Sequence, residues 1–166
     1  MSNPASYIHI DVVQQTLTLW HQQQVIFKTL ISTGKNGVGE QMDSGCTPRG
    51  WLQVKAKIGN DCPENSVFIG RRATGEIYSP KLGEQYPQRD WILSRILWLG
   101  GLEPHKNRYR QVDTLRRFIY IHGCPDSCPM GRPESHGCIR MRNTDVMTLF
   151  DKVAVGTKVL ISEGCD

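Results

Sequence analysis

Three short runs near the start of the chain, Tyr7 to Val12, Thr16 to Trp20 and Val25 to Ile31, are rich in β-branched and apolar residues. Polar turns at Gln14-Gln15 and Gln22 to Gln24 separate them, so they read as a meander of hairpins. A sheet is therefore the framework into which the rest of the chain has to fit. The stretch from Ser32-Thr33-Gly34 to Thr47-Pro48-Arg49-Gly50 is dense in glycine and small polar residues and reads as a long loop feeding another strand near Trp51 to Ile58. By the same criterion residues 59 to 90 are largely irregular, and Trp91 to Leu99 is a strand or a short helix.

Size and composition bound the class. With 166 residues, 39% of them hydrophobic and 22% charged, the chain suits one soluble domain spanning 1–166, and no repeat, low-complexity tract or linker divides it. The formal charge of +4 is mildly basic, which fits acidic small molecules or peptides and falls short of a nucleic-acid binder's cationic stripe. No segment approaches the roughly 18 apolar residues of a membrane span. The opening residues lack a secretory signal's basic start and apolar run, so the expectation is a cytoplasmic protein. Its cysteines, Cys46, Cys62, Cys124, Cys128, Cys138 and Cys165, are then mostly reduced thiols. Between 101 and 117, Lys106, Arg108, Arg110, Arg116 and Arg117 outnumber Glu103 and Asp113. A solvated rim accounts for this excess, and so does a grip on an anionic substrate, with Arg108 and Arg110 the candidates.

The last third carries the chemistry. Phe118-Ile119-Tyr120-Ile121 has strand character and ends in His122-Gly123, so a strand delivers that histidine to its tip. A turn-rich loop from Cys124 to Glu134 follows, and then Ser135-His136-Gly137-Cys138-Ile139-Arg140-Met141. Behind it, Asn143 suits the N-cap of a helix whose apolar positions Val146, Met147, Phe150 and Val153 keep 3.6 spacing, before Gly156 and a closing strand, Lys158 to Ser162.

A cysteine nucleophile acts as a thiolate, and a nearby imidazole can take its proton and hold the resulting ion pair. The other ring nitrogen needs an acceptor, and a tight turn after the strand offers a carbonyl such as that of Gly123. Gly137 beside Cys138 lets backbone N–H groups point at a developing oxyanion. Spacing alone does not bring these groups together. Inert packing of a cysteine and a satisfied core or surface histidine account for the same residues.

Ile119 to Gly123, Gly131 and Ser135 to Met141 together resemble the signature of the L,D-transpeptidase (YkuD-type) catalytic domain: a histidine, a loop, then Ser/Thr-His-Gly-Cys with Arg or Asn two places on. Ser32-Thr33-Gly34 and Thr47-Pro48-Arg49-Gly50 agree in order, so the likeness runs from Tyr7 to Ile161. It implies a mainly β fold with a short helix after the nucleophile, Cys138. His122 is implied as its base, Gly123 as the orienting carbonyl, and Gly137 with Cys138 as the oxyanion donors. Ser135, His136 and Arg140 would shape the substrate pocket, Arg140 fixing the loop or a substrate carboxylate, and the earlier histidine rather than His136 would be the base. No cofactor and no metal are implied.

The chain departs from the pattern at Cys124, where threonine is common, and adds Cys128. A disulfide, mixed disulfides with Cys138 or simple space filling are open to them, as is a zinc site drawn with His122, His136 and Cys138. The implied reaction is attack on the diaminopimelate to D-Ala bond of tetrapeptide stems in peptidoglycan or muropeptides, through a thioester. Water as acceptor gives an L,D-carboxypeptidase in wall recycling, the expectation favoured by a cytoplasmic location. An amine gives an L,D-transpeptidase that cross-links or exchanges D-amino acids. An idle fragment binder is the third reading. The sequence leaves the oligomeric state open.

Overall fold

A computed structural model describes residues 4–164, so Cys165 lies outside the described residues. The meander forms as expected: β1 (Ser6–Asp11), β2 (Thr16–His21) and β3 (Gln24–Leu30) pair antiparallel in chain order. Gln22 and Gln23 make the second turn, both at positive φ, the backbone that a two-residue hairpin needs to match strand twist. After the long loop comes β4 (Gly50–Ile58).

Residues 59–90, expected to be irregular, instead hold a hairpin of β5 (Ser66–Ile69) and β6 (Arg72–Ile77), then a short helix, α1 (Pro80–Gln85). β6 is mostly exposed and so carries no apolar alternation to reveal it. Gly70 and Arg71 turn the hairpin at positive φ. Ser79 caps α1 by accepting the Leu82 N–H, with Pro80 in the first turn, where its missing donor costs nothing.

Trp91 to Leu99 resolves as a long strand, β7 (Ile92–Gly101), followed by a 3-10 turn at Arg110–Val112, β8 (Tyr120–Gly123), β9 (Ile139–Met141), α2 (Asn143–Lys152) and β10 (Lys158–Ser162). The ten strands form one sheet ordered β3-β2-β1-β10-β4-β7-β5-β6, with β8 paired to β7 and β9 to β8. β7 is shared. Leu97 has Lys57 of β4 on one edge and Ile121 of β8 on the other, while Leu93 lies between Val67 of β5 and Gly123.

Strand alternation divides the apolar residues between two faces. Leu97, Leu99, Ile121, Ile139 and Met141 enter the main core, covered by Val146, Leu149 and Phe150 of α2. Ile96, Tyr120 and Phe68 form a smaller cluster against which Trp98 and Cys138 pack.

Asn143 does not cap α2 from outside. Arg142 holds the cap position, and Asn143 is the first helical residue. Its buried carboxamide donates to the Cys124 carbonyl (2.9 Å) and to Asn65 Oδ1 (3.1 Å) and accepts the Ser94 hydroxyl (2.7 Å). Met147 is only half-buried, and Leu149 fills the core in its place. Replacing Asn143 by Ala strands a buried carbonyl and a buried hydroxyl, so Asn143→Ala should cost about 2–3 kcal/mol in urea unfolding. An unchanged midpoint would show that the polar knot at the head of α2 does not hold it in place.

Candidate active site

Register brings the predicted pair to one face. β8 and β9 run parallel with His122 opposite Arg140 and Ile121 opposite Ile139. Tyr120, two residues before His122, and Cys138, immediately before β9 and two before Arg140, pack on that face. Two glycines let the chain pass. A Cβ on Gly123 would meet the Leu93 carbonyl at 2.6 Å, and Gly137 sits at φ 120° with the Cys46 carbonyl 3.1 Å from where its Cβ would be.

His122 is buried, and its Nδ1–H donates to the Gly123 carbonyl at 2.6 Å. A carbonyl can only accept, so this contact puts the proton on Nδ1 and leaves Nε2 as the free base. Burial lowers the imidazole from its ordinary value, opposed by the Gly123 bond and by Asp90, and Arg140 adds to the lowering. The ring is thus neutral at neutral pH.

Cys138 is half-buried. Its Sγ accepts the Tyr120 N–H at 3.3 Å and donates to the Phe118 carbonyl at 3.4 Å. Both hydrogen bonds run to the backbone entering β8, not to the imidazole. Burial pushes the thiol up to about 12, aided by Asp90 and opposed by the Tyr120 N–H, Arg140 and Arg117. A lowered imidazole and a raised thiol both favour their uncharged forms.

Two distant segments grip the loop that leads to Cys138. Ser32 and Arg140 exchange backbone hydrogen bonds (3.0 and 2.8 Å), and Glu134 and Ser135 N–H groups donate to Thr33 O at 3.0 and 2.9 Å. Thr47 Oγ1 accepts the Gly34 N–H (2.8 Å) and donates to the Gly137 carbonyl (2.9 Å). The two weaker motifs, around Ser32 and around Thr47, are thereby accounted for. Ser135 is buried and its hydroxyl accepts the Gly137 N–H at 3.1 Å, so one of the two expected oxyanion donors is engaged at rest.

His136 is exposed, with Nδ1 3.5 Å from Asp90 Oδ2. Arg140 donates to Asp90 Oδ1 (3.2 Å) and to the Glu134 carbonyl (3.3 Å), so it fixes the loop. Asp90, which sequence reasoning missed, joins these residues from the segment before β7. Burial alone would raise its carboxyl, but His122, Arg140 and His136 bring it below the usual range. Nothing in the sequence around Asp90 marks it. Also missed is Arg71 at the β5–β6 turn. Its guanidinium lies 4.6 Å from the Trp98 ring centre and 4.8 Å from that of Phe118, and it donates to the Tyr120 hydroxyl at 3.0 Å. This braces the aromatic wall beside Cys138.

Two grooves meet at His136. One, of about 380 Å³, is lined by Asp43, Arg116, Arg117 and Phe118; the other, of about 290 Å³, by Asp90, Trp91, Cys128 and Arg140. Of the cations between 101 and 117, Arg116 and Arg117 line the first of these grooves. Arg117 is also structural, donating to the carbonyls of Gly39 (3.2 Å) and Cys46 (2.5 Å). Among the described residues no three His, Cys, Asp or Glu side chains are grouped so as to hold a metal ion. Cys124 and Cys128 are free thiols.

Asp90 raises both the thiol of Cys138 and the imidazole of His122. Asp90→Asn should therefore lower both. At a fixed neutral pH, peptide-resolved alkylation of Cys138 by iodoacetamide should quicken, by about three- to fourfold for each tenfold gain in thiolate, because a less basic thiolate is a weaker nucleophile, and the His122 ring resonances should titrate at lower pH. A slower alkylation would reverse the assigned sign.

The L,D-transpeptidase catalytic domain profile, YkuD, matches residues 5–161. The chain is 49% identical over 108 residues to a probable L,D-transpeptidase ErfK/SrfK of Salmonella typhimurium, covering 63% of this chain and 34% of that protein. It is 31% identical over 106 residues to the probable L,D-transpeptidase YbiS of Escherichia coli, covering 62% and 34%. The chain thus spans about a third of the length of these curated relatives. An Enterococcus faecium L,D-transpeptidase mutant superposes with a TM-score of 0.59 at 18% identity, over 96% of this chain and 50% of that one, a likeness of fold. No helix among the described residues is long and apolar enough to cross a membrane. With the signature residues gathered on one face of β8 and β9 and the profile spanning nearly the whole chain, this protein belongs to the L,D-transpeptidase catalytic domain family.

Proposed function

We propose that the protein is a cysteine acyltransferase acting on peptidoglycan tetrapeptide stems, and that water is its principal acceptor. The observation that carries the reading is a buried histidine with its tautomer set by Gly123, on the same face as a cysteine one strand away. His122 Nε2 takes the Cys138 proton as the sulfur attacks the diaminopimelate carbonyl. The oxyanion meets the Cys138 N–H, joined by the Gly137 N–H once Ser135 releases it. The imidazolium then protonates the departing D-Ala amine, leaving a thioester. In the second half, Nε2 activates water against the thioester and the tripeptide stem leaves.

Support for water comes from how open the site is. The nucleophile is half-buried, and His136, where the two grooves meet, is exposed. Water reaches such a thioester at far higher concentration than any amine. Arg116 and Arg117 offer positive charge to a carboxylate-rich peptide, a modest attraction that fades with salt. A second reading, transfer to an amine, draws on the presence of two grooves, since a second peptide can lie in one while the first occupies the other.

Mass spectrometry of the protein with purified tetrapeptide fragments, with and without a D-amino acid, separates these outcomes. Free tripeptide should dominate; exchanged or dimeric products in excess would favour the amine, and binding without turnover an idle binder. Cys138→Ala and His122→Ala should each abolish D-Ala release, with at least a thousandfold loss expected from removing a unit of the nucleophile–base pair, roughly 4 kcal/mol. His136→Ala should retain most of it. Full turnover in Cys138→Ala would remove the nucleophile from this scheme.

A further inference from the structure

The two backbone groups that hold the Cys138 sulfur, the Tyr120 N–H and the Phe118 carbonyl, are not themselves held alike. Tyr120 belongs to β8 and pairs with Trp98 of β7, and beside it the Ile119 carbonyl accepts the Leu99 N–H at 3.0 Å. Phe118 lies outside the ladder. It closes a turn, with its N–H on the Leu115 carbonyl (3.1 Å), and stands at φ 57° while 51% exposed. A bulky residue in the left-handed region is strained, so its surroundings have to keep it there. The Arg71 guanidinium, reaching over from the β5–β6 turn, packs on the rings of Phe118 and Trp98, which are 6.1 Å apart, and donates to the Tyr120 hydroxyl. One side chain thus grips both residues whose backbone meets the sulfur.

We propose that Arg71 is a positioning residue for the nucleophile: it clamps the Phe118 ring and so fixes the carbonyl on which the Cys138 thiol rests. This builds on Cys138 as the nucleophile of the reaction above and is independent of which acceptor resolves the thioester.

The clamp has a signature of its own. A carbonyl only accepts, so its bond favours the protonated sulfur, whereas the Tyr120 N–H favours the thiolate. Loosening Phe118 removes the first bond and keeps the second, because the strand ladder still holds Tyr120. The thiol then ionises more readily. Loss of the Arg71 charge alone works the other way, since a nearby cation favours the thiolate. The charged side chains that act on the sulfur, Asp90, Arg140 and Arg117, all remain when Arg71 is replaced. The sign of the change therefore separates placement from charge.

The test compares Arg71→Met with the wild-type full chain in two assays, then repeats the substitution on Phe118→Gly, where the backbone takes positive φ without strain and no ring is left to clamp. In peptide-resolved alkylation by iodoacetamide at neutral pH, which needs no peptidoglycan, Cys138 of Arg71→Met should react about two- to threefold faster, as one neutral hydrogen bond is lost from the thiol form. Buried Cys124 should stay unmodified. In D-Ala release from tetrapeptide fragments, kcat should fall about tenfold with KM within about twofold, because a freer sulfur meets small solutes more readily and a bound carbonyl less often in line. On Phe118→Gly, Arg71→Met should change neither rate further. Slower alkylation, a raised KM with kcat unchanged, an equal effect on both backgrounds, or alkylation of Cys124 alongside Cys138 overturns the proposal. If the wild-type protein releases no D-Ala, the peptidoglycan reading fails and the alkylation arm still decides the role of Arg71. Should Phe118→Gly misfold, the opposite movement of the two rates in Arg71→Met decides.

Discussion

The parallel pairing of two very short strands, β8 and β9, governs where everything chemical in this protein stands. Because side chains alternate along a strand, one register sends Ile121, Ile139 and Met141 into the main core and turns His122, Arg140, Tyr120 and Cys138 the other way. A slip of one residue would bury the nucleophile and expose an isoleucine. Stability and chemistry are therefore two readings of a single alignment. A parallel pair needs a long return connection, and here it is the loop 124–138 rather than a helix. That loop has no ladder of its own. It is tied down by Ser32 and Thr33 from one segment, Thr47 from another and Arg142 from the head of α2.

The electrostatics of the site favour restraint. A cysteine with a raised thiol reacts slowly with passing electrophiles, and its neighbouring imidazole, depressed by burial, remains a base. Neither group is primed alone. In the proposed scheme a bound carbonyl draws the proton from sulfur to nitrogen, which puts selectivity in binding rather than in a standing thiolate. Asp90 adjusts both partners in the same direction, because it is a negative charge near each. Its own ionisation is held by Arg140 and His136, two of the positions flanking the nucleophile in sequence.

How much of this was legible in the chain depends on how local each signal is. The first hairpins, β4 and β10 could be read because apolar β-branched runs end at polar turns. His122, Gly123 and Cys138 stood out through a motif, and their shared face follows from strand alternation. The β5–β6 hairpin escaped because an exposed strand needs no apolar face and because Gly70-Arg71 turns it without the usual Asn-Gly. Ser79-Pro80 was a readable helix start masked by the polar residues around it. Asn143 has the composition of a cap, yet burial among Ser94, Asn65 and Cys124 gave its carboxamide other partners. Asp90 and Arg71 were beyond local reading altogether. Each matters only through residues tens of positions away, and a contact of that kind leaves no periodicity behind.

β10 fills the gap between β1 and β4, pairing parallel with the former and antiparallel with the latter. Until residues 158–162 have been synthesised, the N-terminal hairpins and the strands carrying His122 and Cys138 share no continuous hydrogen-bonded sheet. The clamp between Ser32 and Arg140 spans that same divide. The side chains of His122 and Cys138 are thus synthesised before the strand that joins their part of the sheet to the N-terminal hairpins. Closing contacts of such sequence separation is slow compared with forming a hairpin, so the two halves of the sheet are joined by its slowest class of contact.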